Sequence, residues 1–224
     1  MTDNAAGYLR RPAELVGAAN EAGTPLLQTP LVSSEAIQLA TDYLQEALAP
    51  RAMLHGVLMD IYGTGVLIEG ESGIGKSECA LDLIASGHRL VSDDVIEVWC
   101  AGTDLLMGRA PELLREHLEI RGLGILNIRD LFGVSAIAAT KKIDLSIRFE
   151  MWESAREVDR LGIDTRATEI LGTSVPQFLI PVSRGRNLAT LVETAVRVHL
   201  LRESGQDSAQ EFVARHTQML EGME

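Results

Sequence analysis

The chain has 224 residues, a formal net charge of −12, and 46% apolar residues but only 4% aromatic ones. That is enough for one aliphatic-cored domain plus smaller pieces. The negative charge argues against a general nucleic-acid binder and against an anionic membrane surface. The start MTDNAAGYLRR has no secretory pattern and no stretch reaches the roughly 20 apolar residues of a membrane span, so a soluble cytoplasmic protein is expected. Cys79 and Cys100 show no CxxC spacing and read as free thiols of a reducing compartment.

Residues 1–50 hold Pro12, Pro25, Pro30 and Pro50 and read as a connecting segment that ends in a helix. Ser34–Leu48 has helical spacing, with Ile37, Leu39, Ala40, Leu44 and Leu48 expected inward, Ser33 or Ser34 as N-cap, and Glu35 and Glu46 on the polar side. Met53–Ile61 and Gly65–Glu69 read as strands about a Tyr62-Gly63-Thr64-Gly65 turn. Lys76–Ser86 reads as a helix stopped by Gly87, Arg89–Trp99 as a strand interrupted by two acids, and Pro111–His117 as a short helix. Lys142–Phe149 alternates Ile143, Leu145, Ile147 and Phe149 on one expected strand face. Phe178–Val182 is a further short strand, and Asn187–Arg202 and Ala209–Leu220 are closing helices. Strands mixed with helices predict an α/β domain over 51–224.

Gly70-Glu71-Ser72-Gly73-Ile74-Gly75-Lys76-Ser77 fits the phosphate-loop pattern G-x-x-x-x-G-K-[ST]. The glycines let backbone N–H groups turn inward onto phosphate oxygens. Lys76 supplies a cation for the outer phosphates, and the Ser77 hydroxyl suits Mg²⁺. The strand Val66–Ile68 before the loop and the helix after it are the context such a site requires, since the helix presents its positive end to the anion.

A phosphate loop needs a second carboxylate on the metal side, usually at the end of a neighbouring strand. Asp93-Asp94 follows Leu90-Val91, and strand alternation without a bulge allows at most one of the two to face the phosphates. His55, in an apolar run, reads on its own as a core histidine, Glu119 as a solvated acid and Arg160 as a surface cation. His88, His117, His199 and His216 have no metal-ligand spacing.

Taken together, His55-Gly56-Val57-Leu58, Asp60, Tyr62-Gly63, Gly65-Val66-Leu67-Ile68, Gly70, Ser72-Gly73-Ile74-Gly75-Lys76-Ser77-Glu78, Ala80-Leu81, Leu83, Gly87-His88-Arg89-Leu90-Val91, Asp93-Asp94, Glu119-Ile120-Arg121-Gly122-Leu123-Gly124-Ile125 and Asp159-Arg160-Leu161-Gly162 closely resemble the HPr kinase/phosphorylase family. The likeness runs from about residue 24 to the C-terminus. It implies a P-loop α/β fold similar to PEP carboxykinase, with a mixed sheet and flanking helices. It also implies a homohexamer that uses ATP and Mg²⁺ to phosphorylate a serine of the phosphocarrier HPr, and that removes the phosphate with inorganic phosphate, releasing pyrophosphate. Gly70–Ser77 would bind ATP, and Ser77 and Glu119 would hold magnesium. His55, Lys76 and Arg160 would complete the active site. Asp94 would be the proton acceptor, with Asp93 as the alternative. Residues 1–50 would be the remnant of an N-terminal domain and its connecting helix. The loop Pro181-Val182-Ser183-Arg184-Gly185-Arg186-Asn187 departs from the family's Val-Arg-Pro-Gly-Arg-Asn, so kinase activity is the firmer expectation. The rival readings are a P-loop kinase for another acceptor and a nucleotide-binding regulatory module.

Overall fold

The computed structural model describes residues 13–102, 105–151, 166–183, 185–207, 211–213, 215 and 218. The chain divides into two compact units, Met1–Leu48 and Ala49–Glu224. In the first, Ala13–Ala22 (α1) and Ser33–Leu48 (α2) are helical. Helix α2 forms where the apolar spacing places it, yet Ile37, Leu39, Ala40, Leu44 and Leu48, expected inward, are exposed. A unit this short has no core of its own in which to bury them.

The second unit is built on a six-stranded mixed sheet. Its strands are Val57–Ile61 (β2), Thr64–Glu69 (β3), Arg89–Ser92 (β4), Leu145–Met151 (β10), Arg166–Ile170 (β11) and Thr173–Val182 (β12), in the order β11-β12-β10-β3-β2-β4. A second sheet, β1-β5-β6-β9, comprises Arg51–His55 (β1), Val95–Cys100 (β5), Leu106–Arg109 (β6) and Thr140–Lys142 (β9). It shares a core with one face of the first sheet, where Leu58 and Leu67 meet Ile96, Val98 and Leu106. The other face buries Val66, Ile68, Ile147 and Phe149 against helices Lys76–Ala85 (α3) and Leu188–Glu203 (α5). Fully burying each such side chain is worth about 1.5–3 kcal/mol, so the aliphatic composition suffices for both cores. Both cysteines are free; burial first, and then the Asp82 charge, pushes the Cys79 thiol up to about 12, so at neutral pH it is a protonated core group.

Several elements differ from the sequence expectation for identifiable reasons. The run Met53–Ile61 is two strands, not one, broken at Gly56. A Cβ there would lie 2.6 Å from the Ile68 carbonyl oxygen, so only glycine lets the chain cross from one sheet to the other. Gly56→Val is expected to cost roughly 2–3 kcal/mol, read as a lower urea midpoint at unchanged slope; an unchanged midpoint would show that the crossing relaxes freely. Arg89–Trp99 likewise divides into β4 and β5 around Asp93-Asp94. Pro111–His117 is only a three-residue 3₁₀ turn, Glu112–Leu114, because Arg115 is extended and Glu116 takes φ 66°, ending any helix. The chain then forms a hairpin of His117–Ile120 (β7) and Gly124–Asn127 (β8), followed by the short helix Ile128–Phe132 (α4). Ile143 falls between β9 and β10, which resets the alternation: it joins the inter-sheet core while Leu145, Ile147 and Phe149 face the helices. Helix α5 starts at Leu188, capped by the Asn187 side chain, which accepts from the Thr190 N–H at 3.0 Å. The expected helix 209–220 lies largely outside the described residues; 211–213, 215 and 218 are helical.

Candidate active site

Strands β3, β10 and β12 run parallel, and β4 runs the same way because both it and β3 are antiparallel to β2. Their carboxyl ends therefore share one edge, where α/β sheets place ligands. The loop 70–75 leaves β3 at that edge, the corner Asp93-Asp94 leaves β4, and Ser183–Asn187 follows β12.

The loop has the conformation its glycines permit. Gly73 has φ 78° and Gly75 has φ 106°, and Gly75 is the residue preceding the first turn of α3. Lys76 Nζ donates to the carbonyl oxygens of Gly70 (2.9 Å) and Glu71 (3.0 Å), so the ammonium is held against the loop. Ser77 Oγ donates to Asp93 Oδ1 at 3.0 Å, and the Glu119 backbone N–H donates to Asp93 Oδ2 at 3.0 Å. One buried carboxylate thus ties together the phosphate loop, the end of β4 and the β7–β8 hairpin.

Asp93 and Asp94 both line the cleft, together with Ser72, Lys76, Ser77 and Glu119. Alternation allowed only one of them, but strand geometry stops at Ser92. Asp94 has φ 65°, so the pair forms a tight corner, held by the Gly56 N–H donating to the Asp94 carbonyl at 3.0 Å. The two acids differ in their surroundings. Asp93 is 5% exposed, and burial raises its pKa above the ordinary aspartate range; the donors from Glu119, Ser77 and Asp94 oppose that shift, and the neighbouring Asp94 charge adds to it. Asp94 is exposed, and among the described residues none hydrogen-bonds its carboxylate.

A raised folded-state pKa means that the buried ionised form costs stability once the pH exceeds it. The stabilising share is present below the unfolded value of about 3.9 and is lost as pH rises through the folded value. Asp93→Asn, able to accept from Glu119 and to donate to Ser77 Oγ, is therefore expected to raise the melting temperature of the nucleotide-free protein at pH 7. The gain should shrink as pH falls through the raised folded-state pKa and Asp93 itself takes up a proton; a lower melting temperature at pH 7 would contradict this.

His55 closes β1, opposite Val95, and is exposed, so the core-histidine reading does not hold. It does not line the cleft, but it adjoins Gly56, which bonds the Asp94 corner. Arg160 lies outside the described residues, in the segment that follows β10. A cation that carried no sequence signal of its own joins the site: Arg121, at the tip of the β7–β8 hairpin, lines the cleft, and its guanidinium sits 3.4–3.9 Å from where a Gly73 side chain would begin. The sequence placed it within the Glu119–Ile125 stretch of the resemblance but gave it no role of its own.

Behind the loop, Ser146 Oγ on β10 donates to Glu69 Oε2 (2.8 Å), the last residue of β3, and Gln177 Nε2 on β12 donates to Ser146 Oγ (3.1 Å). Ser146 is fully buried, and the three side chains satisfy one another. They span the three parallel strands immediately beneath Gly70.

A glycine-rich loop at a helix start, one lysine, one hydroxyl and converging carboxylates is the apparatus of a nucleotide-using P-loop phosphotransferase. The family model "HPr Serine kinase C-terminal domain" matches residues 46–216. HPr kinase/phosphorylase of Geobacter sulfurreducens is 50% identical over 213 residues, covering 95% of this chain and 66% of that protein. The enzyme of the same name from Bacillus subtilis is 43% identical over 210 residues, covering 94% and 68%. The structure of the HPr(Ser) kinase/phosphatase from Coxiella burnetii superposes with a TM-score of 0.66 at 40% identity, covering 72% of this chain and 98% of that one. The chain spans about two thirds of the length of the curated relatives it matches. It belongs to the HPr kinase/phosphorylase family.

Among the described residues no helix is long and apolar enough to cross a membrane, and no preformed cluster of three or more His, Cys, Asp or Glu side chains could hold a metal ion on protein groups alone. Mg²⁺ keeps most of its ligands from water and phosphate and takes only one or two from protein. Ser77, Asp93 and Glu119 are the groups that converge where such an ion would sit beside the loop.

Proposed function

We propose that the chain is a Mg²⁺-dependent serine kinase that transfers the γ-phosphoryl group of ATP to HPr, and that it catalyses the phosphate-dependent reverse removal, releasing pyrophosphate. The observation that carries the reading is the division of labour at the corner. Asp93 is buried and bonded to Ser77, while Asp94 stands beside it in the cleft with an unengaged carboxylate.

In this reading the N–H groups of residues 71–77 hold the phosphates, and Lys76 exchanges its carbonyl partners for phosphate oxygens. Ser77 and Glu119 hold the magnesium ion, which when bound offsets phosphate charge. Asp93 fixes the Ser77 hydroxyl and the position of Glu119 rather than meeting the acceptor. Asp94 orients the acceptor serine hydroxyl and takes its proton as the serine oxygen bonds to the γ-phosphorus and the bond to ADP breaks. In the reverse direction an oxygen of inorganic phosphate gives its proton to Asp94 and bonds to the phosphoserine phosphorus, the bond from phosphorus to the serine oxygen breaks to release pyrophosphate, and Asp94 passes the proton to the serine oxygen. Arg121 and Arg160 supply cations for the charge spread over the transferred group. As in the family, the enzyme acts as a cytoplasmic homohexamer.

The test is incubation of the purified protein with HPr and γ-labelled ATP, followed by addition of excess phosphate. Label is expected on an HPr serine and then in pyrophosphate. Folded protein that labels no HPr would overturn the kinase reading; label that phosphate cannot release would restrict the chain to the forward reaction.

A further inference from the structure

A second concavity lies on the helix side of the six-stranded sheet, away from the phosphate loop. It forms where the β11–β12 hairpin faces the last two turns of α5, and its volume is about 440 Å³. That is within the usual range for small-molecule sites of about 300–1,000 Å³. Its floor is apolar, made by Ala167, Pro176 and Phe178. Two arginines line it, Arg166 from the edge strand and Arg202 from the helix, and the Arg202 guanidinium lies 5.5 Å from the centre of the Phe178 ring. His199 also lines it. This residue is only 6% exposed, and its Nε2 is buried without a hydrogen-bond partner. The Glu203 carboxylate stands 3.6 Å from that nitrogen, and Glu203 is 62% exposed, so its side chain is free to turn to solvent. Arg202 also pairs with Asp207 at 3.0 Å, which fixes it at the rim.

A buried ring nitrogen that meets only a carboxylate at 3.6 Å makes no hydrogen bond, so its place beside a cavity wants an explanation. We infer that this cavity is a binding site for a small organic acid. The apolar body of the ligand lies on Ala167, Pro176 and Phe178, and its carboxylate is held by Arg166 and Arg202 and accepts from His199 as Glu203 swings away. Arg166 and Arg202 each have partners of their own, Arg202 in Asp207, but a guanidinium carries five N–H donors and can take a ligand carboxylate as well; the apolar floor favours an anion with a hydrocarbon body over a bare inorganic ion. The site is separate from the phosphate loop, and the inference does not depend on the proposed activity.

Fluorine NMR of 4-fluorobenzoate with the full chain tests it, using 4-fluorobenzylamine as the cation of like shape. Saturable binding of the acid at about 1 mM or tighter is expected, with at least tenfold weaker binding of the amine. Ala167→Trp, which fills the cavity from an exposed edge-strand position, and Arg166→Glu are each expected to weaken the acid at least tenfold while the melting curve stays cooperative. Lys76→Ala is expected to change nothing. The inference falls if the acid does not saturate, if the amine binds as well, if Ala167→Trp binds unchanged, or if Lys76→Ala removes the binding.

Discussion

Replacing Lys76 by alanine is expected to lower phosphoryl transfer at least ~10³-fold while leaving the fold intact. The lysine's two partners, the Gly70 and Glu71 carbonyls, lie at the loop surface, so water replaces the ammonium there, and the stability change should stay within about 1 kcal/mol. The loss falls on transfer because the only cation that the loop itself supplies to the outer phosphates is gone. Single-turnover rates with saturating ATP, alongside a melting curve, make the measurement. A variant that melts normally and retains wild-type turnover would remove Lys76 from the chemistry and with it the assignment of the loop.

Asp94→Asn is expected to cut single-turnover transfer by about 10²–10⁴-fold, the range for loss of a positioned general base, with ATP affinity changed by less than about threefold. The asymmetry with Asp93 makes this informative. Asp93 is held by Ser77 and Glu119, so Asp93→Asn should act through the metal side and raise the magnesium concentration needed for half-maximal rate. If Asp94→Asn shifted the magnesium requirement while Asp93→Asn lowered the rate at saturating magnesium, the two roles would be exchanged.

What the sequence made legible follows how local each feature is. Gly70–Ser77 is contiguous and its chemistry depends on its own backbone, so both loop and helix were readable. The acid pair was readable as a strand end, but not as a corner presenting both side chains, because alternation holds only while strand geometry does and Asp94 leaves it with positive φ. Glu119 looked like a solvated acid; its meaning comes from a backbone hydrogen bond to Asp93, 26 positions away in sequence. The role of Arg121 was not readable because its place over Gly73 depends on a hairpin whose strands are four residues each, too short for a periodic signal. The strand break at Gly56 was hidden for a related reason: the apolar run continues across it, and only the approach of Ile68 from another strand forbids a side chain there. Strand β11, with its polar Arg166–Ile170 sequence, lacks the alternation that marks a half-buried edge.

The Glu69–Ser146–Gln177 network has a mechanical consequence. Side chains alternate along a strand, so sliding β10 by a single residue against β3 would turn Ser146 to the opposite face and take its hydroxyl from the Glu69 carboxylate, and sliding β12 would take Gln177 from Ser146. The three residues act as a ratchet stop that admits one alignment of the parallel strands. Since Gly70 follows Glu69 directly, the same stop sets how far the phosphate loop rises above the sheet edge, and so whether Ser77 meets Asp93 at all.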